Sequence, residues 1–220
     1  MTASVTIHCR GVVKRYGDHV ALDHIDLTIE TGTSLGLLGK SGAGKSTLLR
    51  IIAGLDDPTA GSVAFAADDS GAARVPKIGM VFQNLSLWPH LSARQHIEAV
   101  LHHLGRSERR TRAELSLDEM KLPRRAWDRP PGELSGGEAQ RLAIARALVI
   151  DPNVLLFDEP LAHVDEDLRN ELVELLEGIV RNRSVTTIYV THSPSEARRM
   201  ADRIAVIEQG RLKHIDAPGC

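Results

Sequence analysis

The octet Gly39-Lys40-Ser41-Gly42-Ala43-Gly44-Lys45-Ser46 constrains the fold of this chain more than any other stretch. It fits the pattern G-x-x-x-x-G-K-[ST], follows the apolar run Ser34-Leu35-Gly36-Leu37-Leu38 and precedes the helical-looking Thr47-Leu48-Leu49-Arg50-Ile51-Ile52-Ala53. Strand, tight loop and helix in that order are the context in which such a loop holds phosphate. Its glycines let the backbone turn sharply and aim successive N–H groups at phosphate oxygens, and the helix adds its partly positive N-terminus. The expected phosphate-binding set is therefore Gly39, Lys40, Ser41, Gly42, Ala43, Gly44, Lys45, Ser46 and Thr47. Within it Lys45 reaches the terminal phosphates and the Ser46 hydroxyl ligates magnesium. A plain glycine-rich turn into a helix accounts for the glycines but not for the lysine and the hydroxyl beside them.

A second pillar lies downstream. Val154-Leu155-Leu156-Phe157 is a short apolar run suited to a strand buried on both faces, and it ends in Asp158-Glu159-Pro160. Carboxylates at the C-terminal end of a parallel strand lie where open α/β sheets bind ligands. Asp158 is placed to hold magnesium, directly or through water, and Glu159 to polarise an attacking water. Between the two pillars stands Leu134-Ser135-Gly136-Gly137-Glu138. Ser135 and Glu138 form a capping box, and the segment after them, rich in Ala, Leu and Arg, predicts a helix over 138–150. A capping box does not explain two glycines in the first helical turn, where they weaken the helix. They allow another backbone or a phosphate to approach the positive helix end, with the Ser135 hydroxyl as a further donor. The chain thus carries two phosphate-binding helix starts, and one nucleotide does not need both from the same molecule.

With these three runs in this order, the chain resembles the ATP-binding subunits of ABC transporters over nearly its whole length. The resemblance implies an α/β fold: a P-loop NTPase core with an N-terminal antiparallel β portion and an inserted α-helical subdomain. It implies one domain over 1–220, with the helical subdomain at about 84–137. Two such domains would dimerise head-to-tail around ATP and Mg2+, so that Ser135, Gly136, Gly137 and Glu138 of one cover the γ-phosphate bound to the other. Residue by residue, Tyr16 in Lys14-Arg15-Tyr16-Gly17 falls where the family stacks a ring on adenine. Gln83, after Ile78-Gly79-Met80-Val81-Phe82, matches the glutamine that contacts magnesium or the attacking water and senses the membrane partner. His192 matches the histidine that contacts the γ-phosphate. The implied catalytic set is Glu159, His192 and Gln83, and the implied metal set is Ser46, Gln83 and Asp158. In Leu161-Ala162-His163-Val164-Asp165 the family's aspartate is kept as Asp165, counted with the nucleotide-binding residues, while His163 at the expected dimer seam departs from the pattern.

The partners implied are a second ATP-binding subunit, either another copy in a homodimer or a homologue, with integral membrane permease subunits and a solute-binding protein. Trp88-Pro89-His90-Leu91-Ser92 and the short C-terminus look more like bacterial small-solute importers than exporters, with no length left for a C-terminal regulatory domain. A soluble ABC-type mechanical or assembly factor is the alternative, as is the ATPase of an exporter or lipid-extraction system. Trp88 suits an anchor in the groove that receives the permease's coupling helix, with core packing as the other reading.

Composition agrees. At 220 residues and 42% hydrophobic content the chain has material for one good core. No run approaches the roughly 20 apolar residues of a membrane helix, and no signal-peptide pattern opens the sequence. Cys9 and Cys220 imply no disulfide framework, and a formal net charge of −2 gives no reason to expect nucleic acid. The expected location is cytoplasmic, peripheral on the inner face of the membrane through the permease.

Along the chain, strands are expected at 5–13 and 20–29, with only partly regular alternation through Leu22, Ile25, Leu27 and Ile29, and a solvated loop at Asp68-Asp69-Ser70-Gly71. Ser92-Ala93-Arg94-Gln95 opens a helical stretch running to about Arg125. Further elements are a helix at 165–180 and strands at 185–190, 204–207 and 211–215. Ser193-Pro194-Ser195-Glu196 reads as a capping box with Pro at the first helical position, fixing His192 at a strand-to-helix turn. His90, His96, His102 and His103 read as solvated or packing histidines, and Arg106, Arg109, Arg110 and Arg112 as a solvated helix face.

Overall fold

The computed structural model describes residues 5–67, 72–73, 75–162, 164–183 and 185–216. Strands β1 (Val5–Tyr16) and β2 (His19–Ile29) are antiparallel. Alternation in β2 breaks between Leu22 and Ile25 because the ladder is bulged there: Lys14 faces Leu22 and Val12 faces Ile25, and His24 takes φ 53. After β3 (Ser34–Leu38) and helix α1 (Lys45–Ile52), β4 (Ala60–Ala67) pairs the other edge of β1 and β5 (Ala72–Ala73) pairs β4. The expected loop at Asp68 to Gly71 lies outside the described residues.

The second sheet adds β6 (Ile78–Val81), β7 (Val154–Asp158), β8 (Thr186–Thr191), β9 (Arg203–Glu208) and β10 (Arg211–Asp216) to β3, in the order β10-β9-β3-β8-β7-β6. All its pairings are parallel except that of β10 with β9. The five residues of β7 are all buried, and their period of two divides them between two cores. Val154 and Leu156 join Ile188, Val190, α1 and the antiparallel sheet; Leu155 and Phe157 join Tyr189 and helices α2 (Ala93–Val100), α3 (Arg106–Glu119), α4 (Gly136–Leu148) and α5 (Glu166–Arg183). Each fully buried Leu or Phe here contributes about 1.5–3 kcal/mol, so β7, like β8, supports both cores.

The helical stretch expected from Ser92 to Arg125 is divided. Helix α2 starts at a capping box of Ser92 and Gln95, and α3 begins after Gly105, which is extended at φ −61, ψ 152. Helix α4 starts at Gly136, two residues before the expected boundary, because Ser135 is its cap. Among the described residues no helix is long and apolar enough to cross a membrane.

Helix α6 (Pro194–Met200) requires a correction. Ser193 Oγ accepts from Glu196 N–H at 3.3 Å, as a cap does, but the reciprocal half of the box is missing. The Glu196 carboxylate instead accepts from the hydroxyls of Thr191 at 2.8 Å and Tyr189 at 3.2 Å, and the Ser193 N–H donates to Thr191 Oγ1. A buried tyrosine hydroxyl needs a partner, and that need outcompetes the local cap.

Candidate functional site

Because β3, β8 and β7 are parallel neighbours, their carboxyl ends share one edge: Leu38 lies beside Thr191, and Val190 beside Asp158. The phosphate loop leaves that edge from β3 and enters α1. Two glycines make the turn possible. Gly42 takes φ 77 and Gly44 φ 103, and a Cβ on Gly44 would lie 2.5 Å from Ala21 O. A cleft of about 260 Å³ is lined by Tyr16, His19, Ala21, residues Ser41 through Thr47, Gln83 and Glu159. An adjoining cleft of about 690 Å³ shares Ser46 and Gln83 and adds Arg50, Asn84 and Asp158.

Lys45 is the buried cation of the site, 4% exposed, and donates to Gly39 O at 2.8 Å and Lys40 O at 3.1 Å. Its Nζ stands 3.6 Å from Glu159 Oε1, and His192 Nδ1 stands 3.6 Å from the other oxygen, Glu159 Oε2. The Glu159 carboxylate thus lies between a lysine on the phosphate loop and an exposed histidine on the β8-to-α6 turn. Its backbone is in the left-handed region at φ 45, and its N–H donates to Val190 O at 3.1 Å, which ties the end of β7 to β8. A non-glycine residue held there costs on the order of 1–3 kcal/mol, a strain that concentrates at functional positions.

Ser46 Oγ donates to Asp158 Oδ1 at 2.7 Å. Burial raises the Asp158 carboxyl above its ordinary pKa, and the neighbouring Glu159 charge adds to this, while the Ser46 hydrogen bond, Lys45 and Arg50 oppose it. A hydroxyl and a carboxylate in contact, with the Gln83 amide on the same cleft, are all hard oxygen donors. They fit Mg2+, whose charge would favour ionised Asp158. Gln83 sits on a turn whose next residues, Leu85 at φ 59 and Ser86 at φ 44, are held by the Arg146 guanidinium through their carbonyls at 2.8 and 2.6 Å.

The second helix start lies elsewhere. Glu138 N–H donates to Ser135 Oγ at 3.2 Å and Ser135 N–H to the Glu138 carboxylate at 2.9 Å. That backbone hydrogen bond is the main reason the Glu138 carboxyl sits below its ordinary pKa; Arg125, 2.7 Å away, adds to it. No residue of 134–138 lines either cleft at the phosphate loop. The two glycines differ: a Cβ on Gly137 would meet Leu168 Cδ2 at 2.5 Å, whereas one on Gly136 meets nothing within 4 Å. Gly137 serves packing against α5 within the chain; among the described residues nothing occupies the space beside Gly136. Asp165 is also outside the clefts, capping α5 by accepting from Leu168 N–H at 3.1 Å. His163 lies outside the described residues.

Some site residues carry no sequence signal. Asp56 accepts the Tyr16 hydroxyl at 2.5 Å from a position 40 residues away, and His19 lines the cleft opposite no recognisable motif. Trp88, 40% exposed, borders a groove of about 400 Å³ with Leu55, Met80, Phe82, Val100 and Arg146. Its ring stacks on His96 at 5.5 Å, so it is neither core nor fully free. The arginine run of α3 is solvated as expected, with Arg110 paired to Glu114 at 3.1 Å and Arg112 to Asp151.

Comparison with known proteins agrees with this geometry. The family model described as "ABC transporter" matches residues 22–162, a span holding the phosphate loop, the Ser135 helix start and Asp158-Glu159. The sulfate/thiosulfate import ATP-binding protein of Rhodopseudomonas palustris is 42% identical over 98% of this chain and 64% of its own length. The spermidine/putrescine import ATP-binding protein of Pseudomonas aeruginosa is 42% identical over 96% of this chain and 59% of its own. The chain thus spans about three-fifths of the length of these curated relatives. Among solved structures, a dimeric post-hydrolysis state of an ATP-binding cassette bound to ADP and Pi superposes with a TM-score of 0.86 at 31% identity, covering 97% of this chain and 99% of that one. A phosphate loop, an acidic strand end and a separate capped helix start, assembled on the same fold as that cassette, come from one family: the chain belongs to the ABC transporter family.

Proposed function

We propose that this chain hydrolyses ATP as the nucleotide-binding subunit of an ABC importer, as one domain over 1–220 with its helical subdomain inserted at about 84–137. The observation that carries this reading is the meeting of Lys45, Glu159 and His192 within 3.6 Å steps, beside the Ser46–Asp158 pair, at the carboxyl edge of the parallel sheet. The backbone of Gly39 through Thr47 and the Lys45 ammonium bind the phosphates. Tyr16 stacks the base. Ser46, Asp158 and Gln83 would hold Mg2+, which would supply charge to offset that of the phosphate oxygens. Glu159 polarises the attacking water as general base, and His192 contacts the γ-phosphate.

Two copies assemble head-to-tail, so that Ser135, Gly136, Gly137 and Glu138, with Asp165 near the seam, complete the partner's site. The open face of Gly136 supports this arrangement. Closure drives permease subunits between access states, with a solute-binding protein delivering cargo, and the groove beside Trp88 receives the permease. The chain then sits peripherally on the cytoplasmic face. The importers among its relatives support that direction, and the solute is chosen by the other subunits.

Glu159→Gln tests the assignment. It keeps the size and polarity of the side chain but removes the base, so Mg-ATP binding persists, hydrolysis falls by about 10²-fold or more, and a nucleotide-dependent dimer accumulates in size-exclusion chromatography. Normal turnover by this variant removes Glu159 from the base role.

A further inference from the structure

At the lip of the phosphate cleft Tyr16 meets Lys14 and Asp56, two residues to which the sequence assigns no role. Tyr16 closes β1 with its ring half exposed on the cleft, and its hydroxyl donates to Asp56 Oδ2 at 2.5 Å. Lys14 Nζ donates to Asp56 Oδ1 at 2.5 Å and to Asp57 O at 2.6 Å, and lies 5.0 Å from the centroid of the Tyr16 ring. Asp56 follows α1, the helix that starts at the phosphate loop. The three side chains therefore tie the end of β1 to the far end of that helix. An aromatic ring on an exposed strand end ordinarily keeps its rotamer freedom, and holding it in advance removes that cost from binding. The hydroxyl's single proton is already given to a carboxylate that only accepts, so the ring offers a ligand its face and no hydrogen-bond donor.

We propose that Asp56 and Lys14 are positioning residues that lock the Tyr16 ring as a stacking platform at a set distance from the phosphate loop, holding a purine base by its face without reading its edge. This rests on the reading of the cleft as a nucleotide site. Stacking on an aromatic ring tolerates any base, because every base has a π face. The platform acts on nucleosides and leaves the phosphate cradle alone.

The test compares dissociation constants of the full chain for Mg-ATP, Mg-GTP and Mg-tripolyphosphate. Asp56→Ala is expected to weaken both nucleotides by a common factor of about three to ten while tripolyphosphate stays within about twofold. Tyr16→Phe, which keeps the ring and cuts the tether, shifts the nucleotides in the same direction. Asp56→Asn, whose amide oxygen still accepts the tyrosine hydroxyl, recovers most of the affinity. The clamp is overturned if Asp56→Ala leaves both nucleotides unchanged, weakens tripolyphosphate as much as ATP, or weakens ATP and not GTP. If the unaltered chain binds neither nucleotide, the nucleotide-site reading falls first and takes the clamp with it.

Discussion

Adjacent residues of one helix turn answer to different neighbours. Gly137 lacks a Cβ because Leu168 of α5 lies where it would go, whereas Gly136 faces open space at the same helix end. Glycine at a helical position costs about 0.5–1 kcal/mol relative to alanine. At Gly136 no close packing among the described residues repays that cost, so it is expected to be repaid when a phosphate closes on the helix end. Gly136→Ala is therefore expected to raise the thermal midpoint of the isolated chain by a small amount, reflecting about 0.5 kcal/mol, and to lower hydrolysis by at least about tenfold. Thermal denaturation and a phosphate-release assay measure the two sides. A variant that is both more stable and fully active would leave Gly136 without a reason.

Among the elements, α2 and the turn before it are held by one histidine. His96 is fully buried; its Nε2 accepts from Trp88 N–H at 2.8 Å and its Nδ1–H donates to Ser92 O at 2.8 Å, which requires the neutral ring. Burial lowers its pKa, and the nearby Arg146 charge and the His90 ring push the same way against the Ser92 hydrogen bond. The folded value thus lies below the unfolded value of about 6.5, so the unfolded chain binds the extra proton. This contribution to stability is complete above pH 6.5 and is lost as pH falls from there toward the folded pKa. Protection over 88–100, after division by the intrinsic exchange rate at each pH, is expected to fall as pH drops from about 6.5 toward about 5.5. His96→Phe should cost about 1–3 kcal/mol at neutral pH by orphaning the Trp88 N–H and should flatten the pH dependence.

Such elements also show what the sequence makes legible. The caps of α2 and α4 close over three residues, and the two-face burial of β7 follows from its composition, so both were readable. The same locality made the phosphate loop and Asp158-Glu159 readable as the two sides of one site. Bonds that span the chain were not. Arg146 reaches back 60 and 61 residues to hold the turn after Gln83, and Asp56 meets Tyr16 across 40. Neither pairing has a periodic signature. The box at Ser193 was misread for the same reason: Tyr189 and Thr191 compete for Glu196 once β8 is buried, a contest visible only after the sheet has formed.

For the whole molecule, the decisive property is that its two candidate phosphate-binding helix starts do not meet. The Lys45 cradle opens at the carboxyl edge of the parallel sheet, while the Ser135 helix start lines neither cleft there. In the head-to-tail pair proposed above, two-fold symmetry would place each Ser135 run over the other molecule's cradle and close the pair without leaving an unpaired face. It follows that defects in the two halves should complement. A Lys45→Ala chain keeps a sound Ser135 run but loses its own phosphate site, and a Ser135→Arg chain keeps the phosphate site but cannot cover its partner's. Each alone is expected to be inactive, with Ser135→Arg still binding Mg-ATP. Mixed in equal amounts, half of the dimers are mixed and each of those has one intact composite site, so hydrolysis should recover to at most about a quarter of the unaltered rate. If Ser135→Arg hydrolyses ATP as a monomer, each chain holds a complete site and the shared arrangement is wrong. If the mixture forms mixed dimers yet stays inactive, one composite site does not suffice, and the two sites must fire together.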